Sequence, residues 1–160
     1  MRIMSKARKS YFLRVTLPIL AGTVIYFLFR GTNLVMFELI NSNALNTFLL
    51  SLHEMSKPVR AILPGWFLQS LPDALWCFAC ISFILIYWRG GPLFFKIFWL
   101  SAAVVLSLGF EVGQRLGIVP GTFCVHDLVF SIVAVALALF AEAFSRRGYN
   151  KGFRHVTTFD

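Results

Sequence analysis

Four strongly apolar stretches of this 160-residue chain, at 15–29, 74–88, 97–110 and 128–141, carry no charged residue, and they restrict its fold more than any other feature. Each is only 14 or 15 residues long, short of the ~20 that cross the hydrocarbon core of a bilayer as a helix. The flanks must contribute, so the expected spans are about 11–29, 71–88, 92–110 and 125–144. These bounds put Arg14 and Lys96 inside helix ends, where long side chains snorkel to the headgroup level. A water-soluble globule fails on composition. Hydrophobic residues make up 58% of the chain, against 15 Lys or Arg and 7 Asp or Glu. A domain of ~150 residues still exposes roughly a third of its unfolded surface, too much to keep such a chain's apolar area dry. With 18 Phe and a mean hydropathy of +0.76 the chain is not disordered. Three Cys cannot pair completely within one chain, which excludes a disulfide scaffold. The expected class is an all-α membrane protein, a single domain of four antiparallel transmembrane helices.

Basic residues give the orientation, because Lys and Arg collect on the cytoplasmic side. Arg2, Lys6, Arg8, Lys9, Arg14, Arg89, Lys96, Arg146, Arg147, Lys151 and Arg154 fall on one side of the spans, and Arg30, Lys57, Arg60 and Arg115 on the other. Both termini are therefore expected in the cytoplasm, with tails 1–10 and 145–160. Anionic lipid is a sufficient partner for these tails. Nucleic acid is not expected as a partner, since the basic residues are divided among membrane edges and form no patch interleaved with aromatics. The basic start and apolar first stretch resemble a signal peptide. However, the stretch contains Pro18 and ends without a small-x-small cleavage site, so a retained helix is expected.

The outward loop, about 31–70, is too long to be structureless in so small a protein. Leu45, Phe48, Leu49, Leu52 and Met55 recur at helical spacing opposite Asn43, Asn46, Thr47 and Glu54, the pattern of an amphipathic helix lying on the membrane. A second apolar set, Val59, Ile62, Leu63, Trp66 and Phe67, is interrupted by Pro64-Gly65 and reads as a segment that dips into the bilayer and returns.

Polar groups gather on the outward side, which carries Glu38, Glu54, Asp73, Glu111 and Asp127. Asp73 opens the second span and Asp127 the fourth. An acid in a first helical turn is stabilised by ~0.3–1 kcal/mol through the macrodipole. Glu111, at the end of the third span, faces the wrong end of its own dipole and needs another partner. Arg115 is four residues on, and Gln114 shares the face. Pro120-Gly121 supplies a turn and Thr122 a cap, so the chain brings Asp127 back towards Glu111. Two readings follow. Glu111, Arg115 and Asp127 form a salt-bridged cluster, or Glu111 and Gln114 bind a head group with a carboxylate available as a base.

Glu111-x-x-Gln114, then Pro120-Gly121-Thr122-Phe123 and Asp127 heading a last apolar helix, resembles the signature of VanZ-like membrane proteins, as does Leu71-Pro72-Asp73-Ala74-Leu75-Trp76. Cys124 stands where that family commonly has Asp, and Ser131 where it has Asn or Tyr. The resemblance covers about 70–144 and implies a small protein of the bacterial cell envelope, in the inner membrane, without an established reaction.

Cys77-Phe78-Ala79-Cys80 offers a rival, since four helices with both termini inside resemble the plan of DsbB-type thiol oxidases. That chemistry needs an accessible thiolate and a second cysteine pair, whereas Cys77 and Cys80 lie in an apolar helix and Cys124 is alone. His53 and His126 sit in no H-x-x-x-H or H-E-x-x-H pattern, so neither a metal nor a cofactor is expected. Gly109, Gly113 and Gly117 form a small-xxx-small series suited to close helix packing. The expected function is non-enzymatic: binding of a lipid head group or a membrane partner, a second copy included, through Asp73, Glu111, Gln114, Arg115 and Asp127. The alternative is a membrane enzyme acting on a lipid-linked envelope substrate.

Overall fold

The computed structural model describes residues 9–29, 43–120 and 123–154. Glu38, Gly121, Thr122 and the two ends of the chain lie outside the described residues, as does the side chain of His53. The described elements are all helices: α1 (Lys9–Phe29), α2 (Asn43–Met55), α3 (Lys57–Ile62), α4 (Gly65–Tyr87), α5 (Leu93–Arg115) and α6 (Val125–Arg154). Four are long and apolar enough to cross a membrane, namely α1, α4, α5 and the Val125–Arg146 part of α6. The chain is a membrane protein.

The helices run past the limits read from the sequence. Leu63, before Pro64, is extended as the proline requires, so α3 ends and α4 begins at Gly65 instead of 71. Pro72 therefore lies inside α4, where it removes one backbone hydrogen bond and is retained by near-complete burial. The second apolar set is thereby divided, with Val59 and Ile62 on α3 and Trp66 and Phe67 in the first turn of α4. Likewise α5 continues through Glu111 and Gln114 to Arg115. There Gly117 at φ +70° closes it, with Gly117 N–H bonded to the Gln114 carbonyl (3.1 Å) and Ile118 N–H to that of Gly113 (2.9 Å). This is a Schellman ending, and its left-handed position favours glycine. The expected glycine packing stripe is thus replaced by a chain reversal: Gly117 makes the turn, and a Cβ on Gly113 would sit 2.8 Å from Cγ2 of Val119.

Pro18 shapes α1 in a similar way. It has no N–H to offer the Arg14 carbonyl. The preceding turn widens into a π-helix over Phe12–Thr16, in which Leu17 N–H reaches back to Phe12, and Arg14 and Val15 are buried. At the other end of α1, the Leu28 carbonyl accepts hydrogen bonds from Ser56 Oγ and Arg60 Nη2, both at 2.8 Å. This satisfies an orphan carbonyl and sets a cation at the negative end of the helix dipole.

The centre of the fold is α4, which packs most extensively on α6 and next on α1. Ala74, Cys77, Ile81 and Leu85 recur along one face of α4 and meet Ala134 and Ala138 of α6. Small residues at the seam let the backbones approach, which matters in lipid, where no hydrophobic force drives helices together. Against α1, Gly22 leaves room for Trp76, whose Nε1 would stand 2.8 Å from an added Cβ. By contrast, α5 buries only Gly113.

Candidate functional site: a carboxylate-lined cavity

One cavity of about 670 Å³ opens between α4, α5 and α6, and Asp73, Glu111, Gln114 and Asp127 all line it. Its wall contains three carboxylates and, among the described residues, no Lys, Arg or His. The helices bring these groups together because Ser70, near the start of α4, donates its hydroxyl hydrogen bond to Asp127 Oδ1 in the first turn of α6. Glu111 finds its partner in the same place. Its Oε2 accepts from the Cys124 backbone N–H at 3.3 Å, immediately before α6 begins. The carboxylate that faces the wrong end of its own helix thus sits at the positive end of the next one.

Two expectations are corrected here. Asp73 does not open a helix, since α4 starts eight residues earlier, so its place on the cavity wall owes nothing to a first-turn dipole. Arg115 is not among the cavity residues, and among the described residues no ion pair joins it to Glu111 or Asp127. Its guanidinium lies 5.0 Å from the Phe123 ring centroid, a cation–π contact that the chain reversal makes available and that competes with the i,i+4 pair.

The cavity also collects Cys77, Cys80 and Cys124, all as free thiols. Cys77 is buried; Ser107 Oγ–H points to its sulfur at 3.3 Å, and the Ser131 carbonyl lies 3.9 Å away. Cys124 Sγ lies 3.8 Å from His126 Nδ1, and the His126 ring stacks on Trp66 with centroids 4.5 Å apart. Among the described residues no three His, Cys, Asp or Glu side chains are placed to hold a metal ion. Deeper along α5, an apolar groove of about 360 Å³ lined by Leu100, Val104, Val135 and Leu139 shares Ile81 with the cavity.

Sequence reasoning missed the other polar centre. Glu142 of α6 is buried, and three arginines surround it. Arg14 Nη1 donates at 3.1 Å, Arg89 Nε and Nη2 at 3.0 and 2.7 Å, and Arg146 Nε at 2.9 Å. Arg14 is therefore held inward and does not snorkel; its Nη2 also donates to the Ala138 carbonyl at 3.3 Å. The available signal was one acid closing the last apolar stretch with an arginine four residues on.

Comparison of the chain with models of known protein families, with curated proteins and with solved structures gives no match.

Proposed function

We propose that this protein is a small VanZ-like component of the bacterial inner membrane that binds a lipid head group in the carboxylate-lined cavity. The observation that carries this reading is the meeting of Asp73, Glu111, Gln114 and Asp127 on one wall system with no cation among them. Such a cavity suits a ligand rich in hydrogen-bond donors, and the apolar groove that shares Ile81 offers its acyl chain a course along α5. The spans run antiparallel. In support, Arg14, Arg89 and Glu142 meet at one end of the bundle, while Ser70, Asp127 and Cys124 gather with Glu111 at the other. The excess of basic residues assigns the Glu142 end and both termini to the cytoplasm, leaving the cavity outward. The α2 helix then lies on the outward surface; the exposure of Phe48 and Met55, which share its apolar face, supports this.

Native mass spectrometry of the purified protein tests the reading. Wild type retains a lipid that Glu111→Gln and Gln114→Ala release, with thermal stability nearly unchanged because the Glu111 contact is a single long hydrogen bond. Full lipid retention and full complementation by both variants would falsify it. The enzymatic alternative, with Asp127 or Glu111 as acid or base, predicts instead that a deletion strain accumulates one lipid-linked substrate.

A further inference from the structure

Four cations face one carboxylate at the far end of the bundle. Glu142 Oε2 accepts from Arg14 and Arg89, and Oε1 from Arg89 and Arg146. Four donors fill the roughly four lone-pair directions of a carboxylate. Glu142 is therefore saturated, while each guanidinium carries five N–H donors. Arg89 uses two nitrogens in these bonds and Arg146 one, and the Nε of Arg14 is buried without a partner among the described residues. Lys96, half-buried on the first turns of α5, lies within electrostatic range of Arg89, Arg146 and Glu142. Among the described residues no carboxylate pairs with it.

The three arginines divide by exposure. Arg14 is 11% exposed at its side chain and is part of the interior, whereas Arg89 and Arg146 are 36% and 45% exposed and open outward. In the chain Tyr87 and Trp88 immediately precede Arg89 and Phe95 precedes Lys96, and the Trp88 and Phe95 rings stack at 5.4 Å. Aromatic residues of this kind mark the depth of lipid head groups, and uncompensated charge beside hydrocarbon is costly. The anion that lies at that depth is the phosphate of a phospholipid.

We propose that Arg89, Lys96 and Arg146 form a binding site for the phosphate of a net-anionic phospholipid, whose head group lacks the ammonium that these cations would repel in phosphatidylcholine, with Glu142 holding the two guanidiniums in position as it pairs with Arg14. Basic pockets between transmembrane helices bind anionic head groups in this way. The site is separate from the carboxylate-lined cavity and does not depend on its function.

The test is lipid retention by the full chain, in mixed micelles of phosphatidylcholine and phosphatidylglycerol read by native mass spectrometry. Wild type is expected to prefer phosphatidylglycerol. Lys96→Gln and Arg146→Gln should each lower that preference roughly fivefold, the effect of about one surface cation. Lys96→Gln is the safer variant, since no ion pair of the described residues is lost with it. Lys57→Gln, an exposed lysine paired with Glu54, is the control for net charge, and it should leave the preference unchanged. Inorganic phosphate added at increasing concentration distinguishes the source. Displacement of the lipid in wild type but not in Lys96→Gln supports recognition of phosphate itself, and no displacement supports recognition of the whole head group. Equal preference in wild type and the Lys96→Gln/Arg146→Gln double variant, or an equal loss in Lys57→Gln, overturns the proposal.

Discussion

Replacing Glu142 by Gln keeps the side-chain shape and removes the one anion among three arginines. The magnitude follows from how dry each pair is. Glu142 and Arg14 are 5% and 11% exposed at their side chains, so their pair is desolvated. Breaking such a pair by removing one partner costs ~3–5 kcal/mol, because the remaining charge is left buried. Arg89 and Arg146, at 36% and 45% exposure, can turn to water, and their pairs contribute only ~0.2–1 kcal/mol each. Glu142→Gln should therefore cost about 3–5 kcal/mol. Arg14→Gln, which leaves Glu142 two cations, should cost ~1–3 kcal/mol, and Arg146→Gln less than ~1 kcal/mol. The double variant Arg14→Leu/Glu142→Leu should recover most of the loss, since apolar side chains of similar volume replace a buried pair at little cost. Equilibrium unfolding in mixed detergent micelles, followed by circular dichroism, measures the series. A loss below ~1 kcal/mol for Glu142→Gln, or an equal loss for Arg146→Gln, would refute the claim that desolvation of the Arg14 pair dominates.

A topology reporter fused after Asp160 should be active only in the cytoplasm, and activity of that fusion outside it would overturn the orientation. Serine in place of Cys77, Cys80 and Cys124 together should support wild-type growth and expression, because a hydroxyl in place of the Cys77 thiol would find the same Ser107 hydroxyl and Ser131 carbonyl; loss of a quinone-dependent oxidation in this variant would favour the oxidase reading. Gly22→Leu should destabilise by ~1–3 kcal/mol by driving α1 from Trp76. Gly65→Ala, where an added Cβ meets nothing within 4 Å, should stay within ~0.5 kcal/mol of wild type in the same unfolding assay.

The four spans are legible in the sequence because charge is expensive in hydrocarbon and its absence is visible over each apolar stretch. Helix ends are less legible. Pro72 reads as a first helical residue because proline favours that position, yet its burial lets α4 run through it. The approach of Asp127 to Glu111 is readable from the short α5–α6 connection, whereas Asp73 joins the group only through the packing of α4. The loss of Arg115 from that group is not readable, since it depends on where the turn sets Phe123. Glu142 looks like one more acid beside a basic tail. Its partner Arg14 stands 128 residues away in sequence, and only the packing of α1 on the bundle joins them.

The polar contacts also distinguish a fixed part of the bundle from an adjustable one. Between α4 and α6 they run the whole length: Ser70 to Asp127 at one end, Cys77 beside the Ser131 carbonyl in the middle, and Arg89, just past α4, to Glu142 at the other end. The seam between these contacts is filled with small and branched side chains, and a close-packed interior deforms little. In contrast, α5 buries a single glycine and is held chiefly by Glu111 at Cys124, Ser107 at Cys77 and partly buried contacts at Leu100, Ala103 and Val104. Both the cavity and the apolar groove lie where α5 stands away from the other two helices. Segments with few buried contacts are the least costly to displace. In the proposed function, a head group is therefore held between Asp73 and Asp127 on the fixed pair and Glu111 and Gln114 on the adjustable wall. Differences in ligand size are then absorbed by α5, while the Glu142 cluster keeps α1, α4 and α6 in register.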